Sequence, residues 1–194
     1  MRSSSIIPRL PDVDHFDHFM DAVDAVKAGL PRHVRKDTEI LHLGAGTSLV
    51  GPTLYNMGYR CVTNIDIDAA AMDAMAHRFA ALSEMQFVAM DACDTKVPAQ
   101  SFGLIFDKAL LDTLIADQPL KAEQYLRECQ RLLTPGGSLV VISHGVPEKR
   151  LPLLAQALRV NPAVNIQVRT VPKPRVPGFE LGASSDYFVY EIRV

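Results

Sequence analysis

Two glycines and an aspartate in this sequence have the spacing of a site that holds a nucleoside. Gly44 and Gly46 directly follow a short apolar run, where glycine lets the backbone turn tightly and approach a ligand closely. The helix expected after them offers free backbone N–H groups. Asp66 comes twenty positions after Gly46, the distance at which a carboxylate accepts hydrogen bonds from both hydroxyls of a ribose. The same residues also fit a plain tight turn and a cap for a helix starting at Ala69.

Three charged residues close two later apolar runs and could position polar groups of a ligand. Asp91 follows Met90 and can accept a hydrogen bond from an exocyclic adenine amine, with an ordinary loop acid as the alternative. Asp107 ends the next run and is followed by Lys108. We expect the Asp107 carboxylate to emerge at the site, where it can hold an ammonium group or orient an incoming amine. The alternative is a local ion pair, which contributes little where it is exposed.

Other candidates carry less weight. His15 and His18 lie one turn apart in an acid-rich segment, which is more typical of a solvated helix face than of a metal site, so we predict no bound metal. His144 follows a predicted strand, so it could contact a substrate or act as a base, and it fits a cap for the next turn equally well. Lys173 and Arg175 lie in a loop rich in proline and glycine, which either overhangs the substrate side or is a solvated hairpin loop.

The elements that must position these residues alternate between strand and helix. Apolar runs bounded by turn residues predict strands, and alanine-rich or periodically apolar segments predict helices. The predicted strands span residues 39–43, 60–66, 85–90, 102–106, 138–143, 164–171 and 187–194. The predicted helices span residues 15–28, 48–57, 69–82, 120–133 and 151–160, and a loop over residues 172–185 joins the last two strands.

This alternation predicts an α/β fold with a doubly wound, seven-stranded, mostly parallel sheet of the Rossmann-like kind. No helix separates the last two strands, so the last strand should run antiparallel, and the fourth should cross the centre. Ligands of such sheets bind outside the carboxyl ends of the strands, where the glycines and aspartates lie. We divide the chain into an N-terminal lead-in and helix over residues 1–36 and one domain over residues 37–194.

The composition excludes several classes of protein. A chain of 194 residues fits one domain. A net charge of −2 and a pI of about 6.3 create no field that would attract nucleic acid or an anionic membrane, so neither partner is expected. No apolar run approaches the ~20 residues of a membrane helix, and the first residues lack the apolar core of a secretory leader. Three widely spaced cysteines fit neither a disulfide framework nor a zinc site, which favours a cytoplasmic location.

Two nucleoside cofactors, NAD and S-adenosylmethionine, fit the glycine–aspartate pattern. The dinucleotide fingerprint Gly-x-Gly-x-x-Gly needs a third glycine where this chain has Leu49, and Gly51 comes two positions late. A pyrophosphate needs that close approach, whereas a methionine tail does not. A chain of this length also leaves no room for a separate substrate domain. A nicotinamide-linked oxidoreductase is therefore the weaker alternative.

The glycine turn, Asp66, the Leu-Thr-Pro-Gly-Gly turn at 133–137 and the antiparallel finish resemble class I S-adenosylmethionine-dependent methyltransferases over roughly residues 37–194. A narrower resemblance lies in Phe-Asp-Lys-Ala-Leu-Leu-Asp-Thr-Leu at 106–114. It is similar to the Glu-Lys-Gly-Thr-Leu-Asp-Ala-Leu segment of the methyltransferases related to the elongation factor 1A lysine methyltransferases. Gly-Ala-Gly-Thr-Ser at 44–48 likewise resembles that group's Gly-Cys-Gly-Asn-Ser.

The resemblance implies S-adenosylmethionine as cofactor and an amine as methyl acceptor, either a protein lysine or a small molecule. It implies catalytic roles for Asp107 and Lys108. It also implies cofactor contacts from Leu43, Gly44, Ala45, Gly46, Asp66, Ile67, Asp91, Ala92 and Asp107. The chain lacks the Tyr-Trp segment that the family carries before its first strand, and His42 stands where an acidic residue is common. A methyltransferase-like protein that binds a partner without catalysis is therefore the second functional hypothesis.

Overall fold

The computed structural model of the chain describes residues 23–173 and 186–194. Within these ranges the strands are β1 (Ile40–Leu43), β2 (Val62–Asp66), β3 (Met85–Ala89), β4 (Phe102–Lys108), β5 (Leu133–Ser143), β6 (Ile166–Pro172) and β7 (Asp186–Arg193). The helices are α1 (Val23–Gly29), α2 (Val50–Asn56), α3 (Ala69–Arg78), α4 (Leu110–Asp117), α5 (Pro119–Leu132), α6 (Pro147–Leu158) and the short α7 (Pro162–Asn165).

The strands form one sheet in the order β3-β2-β1-β4-β5-β7-β6. Strands β1 to β5 pair in parallel, and β7 runs antiparallel to both of its neighbours. The predicted fold class, the central place of β4 and the antiparallel last strand are confirmed. The chain builds the sheet from β1 outward to β3 and then returns to β4, so the order reverses between β1 and β4. The carboxyl ends of these two strands therefore flank the crevice in which such sheets bind ligands.

Helices cover both faces of the sheet, as the continuous apolar strands require. One apolar cluster joins the sheet to α4, α5 and α6, and it includes Leu111, Leu126 and Leu154. The other joins the opposite face to α1, α2 and α3, and it includes Val26 and Leu54. The helix that we assigned to the N-terminal lead-in therefore packs into the same core as the rest of the chain.

The main departures from the predicted elements lie between β4 and β6. Helix α4 was missed altogether, and α7 forms where the sixth strand was predicted to begin. The Asn161 side chain caps α7 by accepting a hydrogen bond from the backbone N–H of Ala163. Strand β5 starts at Leu133 rather than at residue 138, because Leu133 pairs with Phe102 before a shift in register.

Several sequence candidates lie outside the described residues. His15, His18 and Arg175 are among them, together with most of the predicted helix over residues 15–28. In the described ranges, no helix is long and apolar enough to cross a membrane. The same ranges contain no group of three or more His, Cys, Asp or Glu side chains arranged to hold a metal ion.

Candidate active site

A pocket of about 190 Å³ opens at the carboxyl edge of the sheet, beside the point where the strand order reverses. Five of the nine predicted cofactor contacts line it, from the turn after β1 and from the ends of β2 and β3. The opposite wall comes from α4 and the start of α5. The lining residues are Gly44, Asp66, Ile67, Met90, Asp91, Ala92, Cys93, Leu110, Thr113, Leu114, Gln118 and Lys121.

Asp66 joins the end of β2 to the glycine turn. Its Oδ2 accepts a hydrogen bond of 2.8 Å from the backbone N–H of Gly46, and its Oδ1 accepts one of 2.9 Å from the N–H of Asp68. Each carboxylate oxygen has a second lone pair and can accept from a further donor. The suggested role of Asp66 as a helix cap is wrong. That role belongs to Asp68, whose Oδ1 accepts from Ala70 and Ala71 at the start of α3.

The glycine turn needs glycine at both of its positions. Gly44 and Gly46 have φ angles of +61° and +46°, a region that other residues adopt only with strain. A Cβ atom on Gly44 would lie 2.8 Å from the Cβ of Leu110, whereas a Cβ on Gly46 would meet only the Asp66 carboxylate, at 3.9 Å. The turn therefore packs tightly against α4 on one side and leaves room for a ligand over Gly46.

Asp91 holds a loop and also lines the pocket, so its contact with an adenine amine stays a prediction. Its Oδ1 accepts a hydrogen bond of 2.8 Å from the N–H of Cys93, which holds the loop after β3, and the same side chain lines the pocket. Leu43 and Ala45, also predicted as cofactor contacts, are almost completely buried and lie behind the pocket surface.

Asp107 does not emerge into the pocket, contrary to the expectation from its place at the end of β4. It is completely buried, and its oxygens accept hydrogen bonds from Leu110 N–H (2.8 Å), Leu111 N–H (3.0 Å) and the Tyr125 hydroxyl (2.7 Å). Burial raises the pKa of Asp107 to about 7, against the lowering effect of these donors. Lys108 is also absent from the pocket lining, so direct catalytic contacts by Asp107 and Lys108 stay predictions.

Sequence reasoning missed the α4 wall, which supplies Leu110, Thr113 and Leu114. The usual sign of a helix start is absent, because the residue before the helix is Ala109 with a left-handed φ of +71° and no side-chain cap. The capping carboxylate is Asp107 instead, two residues further back. The apolar spacing of Leu110, Leu111 and Leu114 was the available signal.

His42, at the position that is often acidic in the resembling family, faces away from the pocket. Its Nδ1–H donates to Oδ1 of Asn64 at 3.0 Å, and the Asn64 amide donates to the Gln86 carbonyl. Complete burial lowers the pKa of His42 to about 4. His42 is therefore a neutral residue of the core rather than a ligand contact.

A family profile described as a methyltransferase domain matches residues 41–141, more than half of the chain. The chain belongs to this methyltransferase family. The match spans β1 to most of β5 and so contains every residue of the pocket. The predicted family is confirmed.

Relatives and solved structures agree with this assignment. The chain is 36% identical over 117 residues to the eEF1A lysine and N-terminal methyltransferase homolog of Drosophila melanogaster, covering 58% of this chain and 17% of that protein. It is 29% identical over 131 residues to the EEF1A lysine methyltransferase 4 of Mus musculus, covering 62% and 51%. The matched part of this chain thus spans about a sixth of the first relative and about half of the second.

The fold also matches a crystal structure of the Burkholderia thailandensis 1,6-didemethyltoxoflavin-N1-methyltransferase, which contains S-adenosylhomocysteine. The TM-score is 0.66 at 20% identity, over 89% of this chain and 78% of that chain. S-adenosylmethionine is the cofactor of this methyltransferase family, in agreement with the prediction.

The residues of the pocket fit this cofactor. The Asp66 carboxylate has acceptor capacity for a ribose, and the open space over Gly46 admits a close approach to the backbone. The loop carrying Asp91, with Ala92 beside it, gives an acidic acceptor and backbone groups for a purine edge. Leu110 and Leu114 supply an apolar wall that can exclude water.

Proposed function

We propose that this chain transfers a methyl group from S-adenosylmethionine to an amine nitrogen, and that the acceptor is a lysine side chain of a protein. The observation that carries the proposal is the pocket at the reversal of the strand order, which gathers Gly44, Asp66 and Asp91 against α4. The names of the relatives, which are lysine methyltransferases, support a protein acceptor. A small-molecule amine is the alternative acceptor.

Different residues of the pocket would bind different parts of the cofactor. Asp66 would hold the ribose, and the loop with Asp91 and Ala92 would receive the adenine. When bound, the cofactor would supply a methyl group on a sulfonium, whose carbon an amine lone pair can attack in line while the thioether leaves. The domain mainly aligns the two reactants and keeps water away.

Asp107 has a positioning role in this proposal. Its carboxylate ties the first two free N–H groups of α4 and the Tyr125 hydroxyl of α5 to the end of β4. Since Leu110 and Leu114 form the pocket wall, the placement of α4 sets the width of the pocket. Contact between Asp107 or Lys108 and the substrate is a further proposal, and so is a cytoplasmic setting, with which the three free cysteines agree.

The experiment measures binding of S-adenosylhomocysteine by calorimetry and transfer of a tritiated methyl group from S-adenosylmethionine into the proteins of a cell lysate. Asp66→Ala removes a charged acceptor of two ribose hydrogen bonds, each worth about 1.5–3 kcal/mol. Affinity should therefore fall at least about tenfold. Asp73→Ala, an exposed position on α3, is the matched control and should bind like the parent.

Three results would contradict parts of the proposal. Binding of NAD without binding of S-adenosylhomocysteine would exclude the methyltransferase assignment of this pocket. Binding without methyl transfer would favour the non-catalytic hypothesis. Unchanged affinity in a folded Asp66→Ala variant would remove Asp66 from the ribose site.

A further inference from the structure

A second polar cluster lies at the carboxyl edge of the sheet, around the turn that follows β5. The backbone N–H of His144 donates to Oδ2 of Asp112 at 2.7 Å. The N–H of Gly145 donates to the Ser143 hydroxyl at 2.9 Å, and the Tyr190 hydroxyl donates to the Gly145 carbonyl at 2.6 Å. Hydrogen bonds to side chains therefore fix the backbone of both His144 and Gly145, and this backbone supports the His144 side chain.

The support itself is a partly buried ion pair. A guanidinium nitrogen of Arg150 donates to Oδ1 of Asp112 at 2.9 Å, and only 13% and 16% of these two side chains are exposed. The Ser143 hydroxyl also donates to Oδ1 of Asp112, and Nε of Arg150 donates to that hydroxyl. A carboxylate that accepts three hydrogen bonds in a partly buried site holds its neighbours in a fixed geometry.

Helix α4 connects this cluster to the cofactor pocket. Leu110, Thr113 and Leu114 line the pocket, and Asp112 of the same helix binds the His144 backbone. In the sheet, Lys108 of β4 is paired with Ile142 of β5, so His144 lies two residues past that pair. His144 therefore lies at the carboxyl edge of the sheet, the edge at which the pocket opens, and α4 contacts both.

His144 is an exposed residue with one aromatic neighbour, and its ring nitrogens accept or donate no hydrogen bond within the described part of the chain. Its ring stands edge-on to the ring of Tyr187, with centroids 5.2 Å apart. Among residues 23–173 and 186–194, no hydrogen bond to either ring nitrogen is present. One aromatic neighbour therefore orients the ring without occupying its proton-accepting atom.

Charged groups reach the imidazole from three elements. Lys173 follows β6, Lys108 ends β4, and Asp112 belongs to α4; the two lysines disfavour a protonated ring and Asp112 favours one. Partial burial, followed by the charge of Lys173, lowers the pKa of His144 below its usual value. The free enzyme at neutral pH therefore holds His144 as a neutral imidazole, which can accept a proton.

We propose that His144 is the catalytic residue that accepts the proton of the substrate ammonium group, which rests on the methyl-transfer function proposed above. A lysine ammonium has a pKa near ~10.4 and must lose a proton before its nitrogen can react. The proton passes from the ammonium to a ring nitrogen of His144. The freed lone pair forms the N–C bond while the C–S bond breaks and leaves its electron pair on sulfur. The imidazolium then releases its proton to water.

The first test is independent of turnover and uses NMR. The imidazole signals of His144, assigned by their loss in His144→Gln, are titrated with pH in the apo domain. We expect the titration midpoint of His144 to lie below 6.5. In the Lys173→Met variant we expect this midpoint to rise, because the positive charge of Lys173 next to the imidazole is removed. We then add N-acetyl-lysine amide in the presence of S-adenosylhomocysteine and expect the His144 signals to move. A midpoint at or above 6.5, or signals that do not move, would overturn the proposal.

The second test compares rates across pH, on the lysate fraction that the parent methylates. For the parent we expect a plateau above the imidazole midpoint. For His144→Gln we expect at least a tenfold lower rate at pH 7 that rises about tenfold per pH unit towards pH 9, since only unprotonated amine reacts. His77→Gln, at an exposed position of α3, should retain the parental rate.

The outcomes separate the two proposals. A parent that neither binds S-adenosylhomocysteine nor transfers methyl would remove the function on which this inference rests. A parent that does both, with a folded His144→Gln variant that keeps its rate and pH profile, would overturn the role of His144 alone.

Discussion

The buried carboxyl group of Asp107 gives a prediction about stability that can be worked from the structure. Asp107→Asn replaces a carboxyl that is completely buried against Leu110, Leu111 and Tyr125. Near pH 4 the parent carboxyl is protonated in the folded state and offers one acceptor and one donor, like the amide. The two proteins should therefore have similar stability there, and the difference should develop as the pH rises.

Whether stability rises or falls with pH depends on which state of the chain, folded or unfolded, binds more protons. Burial raises the pKa of Asp107 from 3.8 to about 7, so between these values the folded chain keeps a proton that the unfolded chain has lost. Stability then falls as the pH rises through this window, by about 1.4 kcal/mol per pH unit and up to about 4 kcal/mol in total. The asparagine variant has no such titration at position 107. Its free energy of unfolding should therefore increase relative to that of the parent up to pH 7, and it should remain the higher of the two above pH 7.

His42 titrates in nearly the same pH window as Asp107, so the effect of Asp107 is measured as the difference in unfolding free energy between Asp107→Asn and the parent. Burial lowers the pKa of His42 from 6.5 to about 4, so here the unfolded chain holds the extra proton and stability rises with pH in nearly the same window. The two effects oppose each other in the parent, so the parent's stability curve alone does not isolate the contribution of Asp107. In Asp107→Asn the rise due to His42 is no longer opposed by Asp107.

The assay is urea unfolding of both proteins between pH 4 and pH 8, with calorimetric binding of S-adenosylhomocysteine at pH 7.5. A difference in unfolding free energy that is constant with pH, or that favours the parent as pH rises, would refute the reasoning. Since Asp107 acts by positioning α4, affinity should stay within about threefold of the parent; a loss of tenfold or more would indicate direct contact with the cofactor.

Two further variants test the local geometry. Ala109→Gly should stabilise the chain by up to about 1 kcal/mol in thermal unfolding, because Ala109 has a φ of +71° and a left-handed alanine costs more than the added freedom of glycine. Ala116→Gly, within the helix α4 that follows Ala109, should destabilise the chain by about 1 kcal/mol. Equal effects of the two substitutions would contradict this. Asp68→Ala should cost about 1 kcal/mol by removing the cap of α3, whereas Asp73→Ala on the exposed face of α3 should cost nothing measurable.

The sequence was sufficient to predict the sheet because its strands are apolar runs that end in glycine or aspartate. The positions of Gly44, Asp66 and Asp91 at the carboxyl edge followed from that sheet alone, and all three line the pocket. The absence of a glycine at position 49 made a dinucleotide the weaker alternative, and the resemblance to class I methyltransferases implied S-adenosylmethionine.

What the sequence could not supply were contacts between residues distant in the chain. By residue type, Asp66 and Asp68 are equally suited to cap α3. Only the structure shows that Asp66 instead accepts a 2.8 Å hydrogen bond from the backbone N–H of Gly46, in the glycine turn. The sequence does not show that Asp107 is completely buried, or that the hydroxyl of Tyr125, eighteen residues later, donates to it. The fixed position of His144 likewise depends on a hydrogen bond from its backbone N–H to Asp112. Asp112 belongs to α4, the helix that was not predicted from the sequence.

The most direct test of a cofactor site at this pocket is a crystal structure of the chain with S-adenosylhomocysteine. The ribose hydroxyls should lie within hydrogen-bonding distance of the Asp66 carboxylate, the adenine beside Asp91 and Ala92, and the ligand should contact Leu110 or Leu114 of α4. A ligand bound elsewhere, or one in this pocket without any contact to Asp66, would contradict the account.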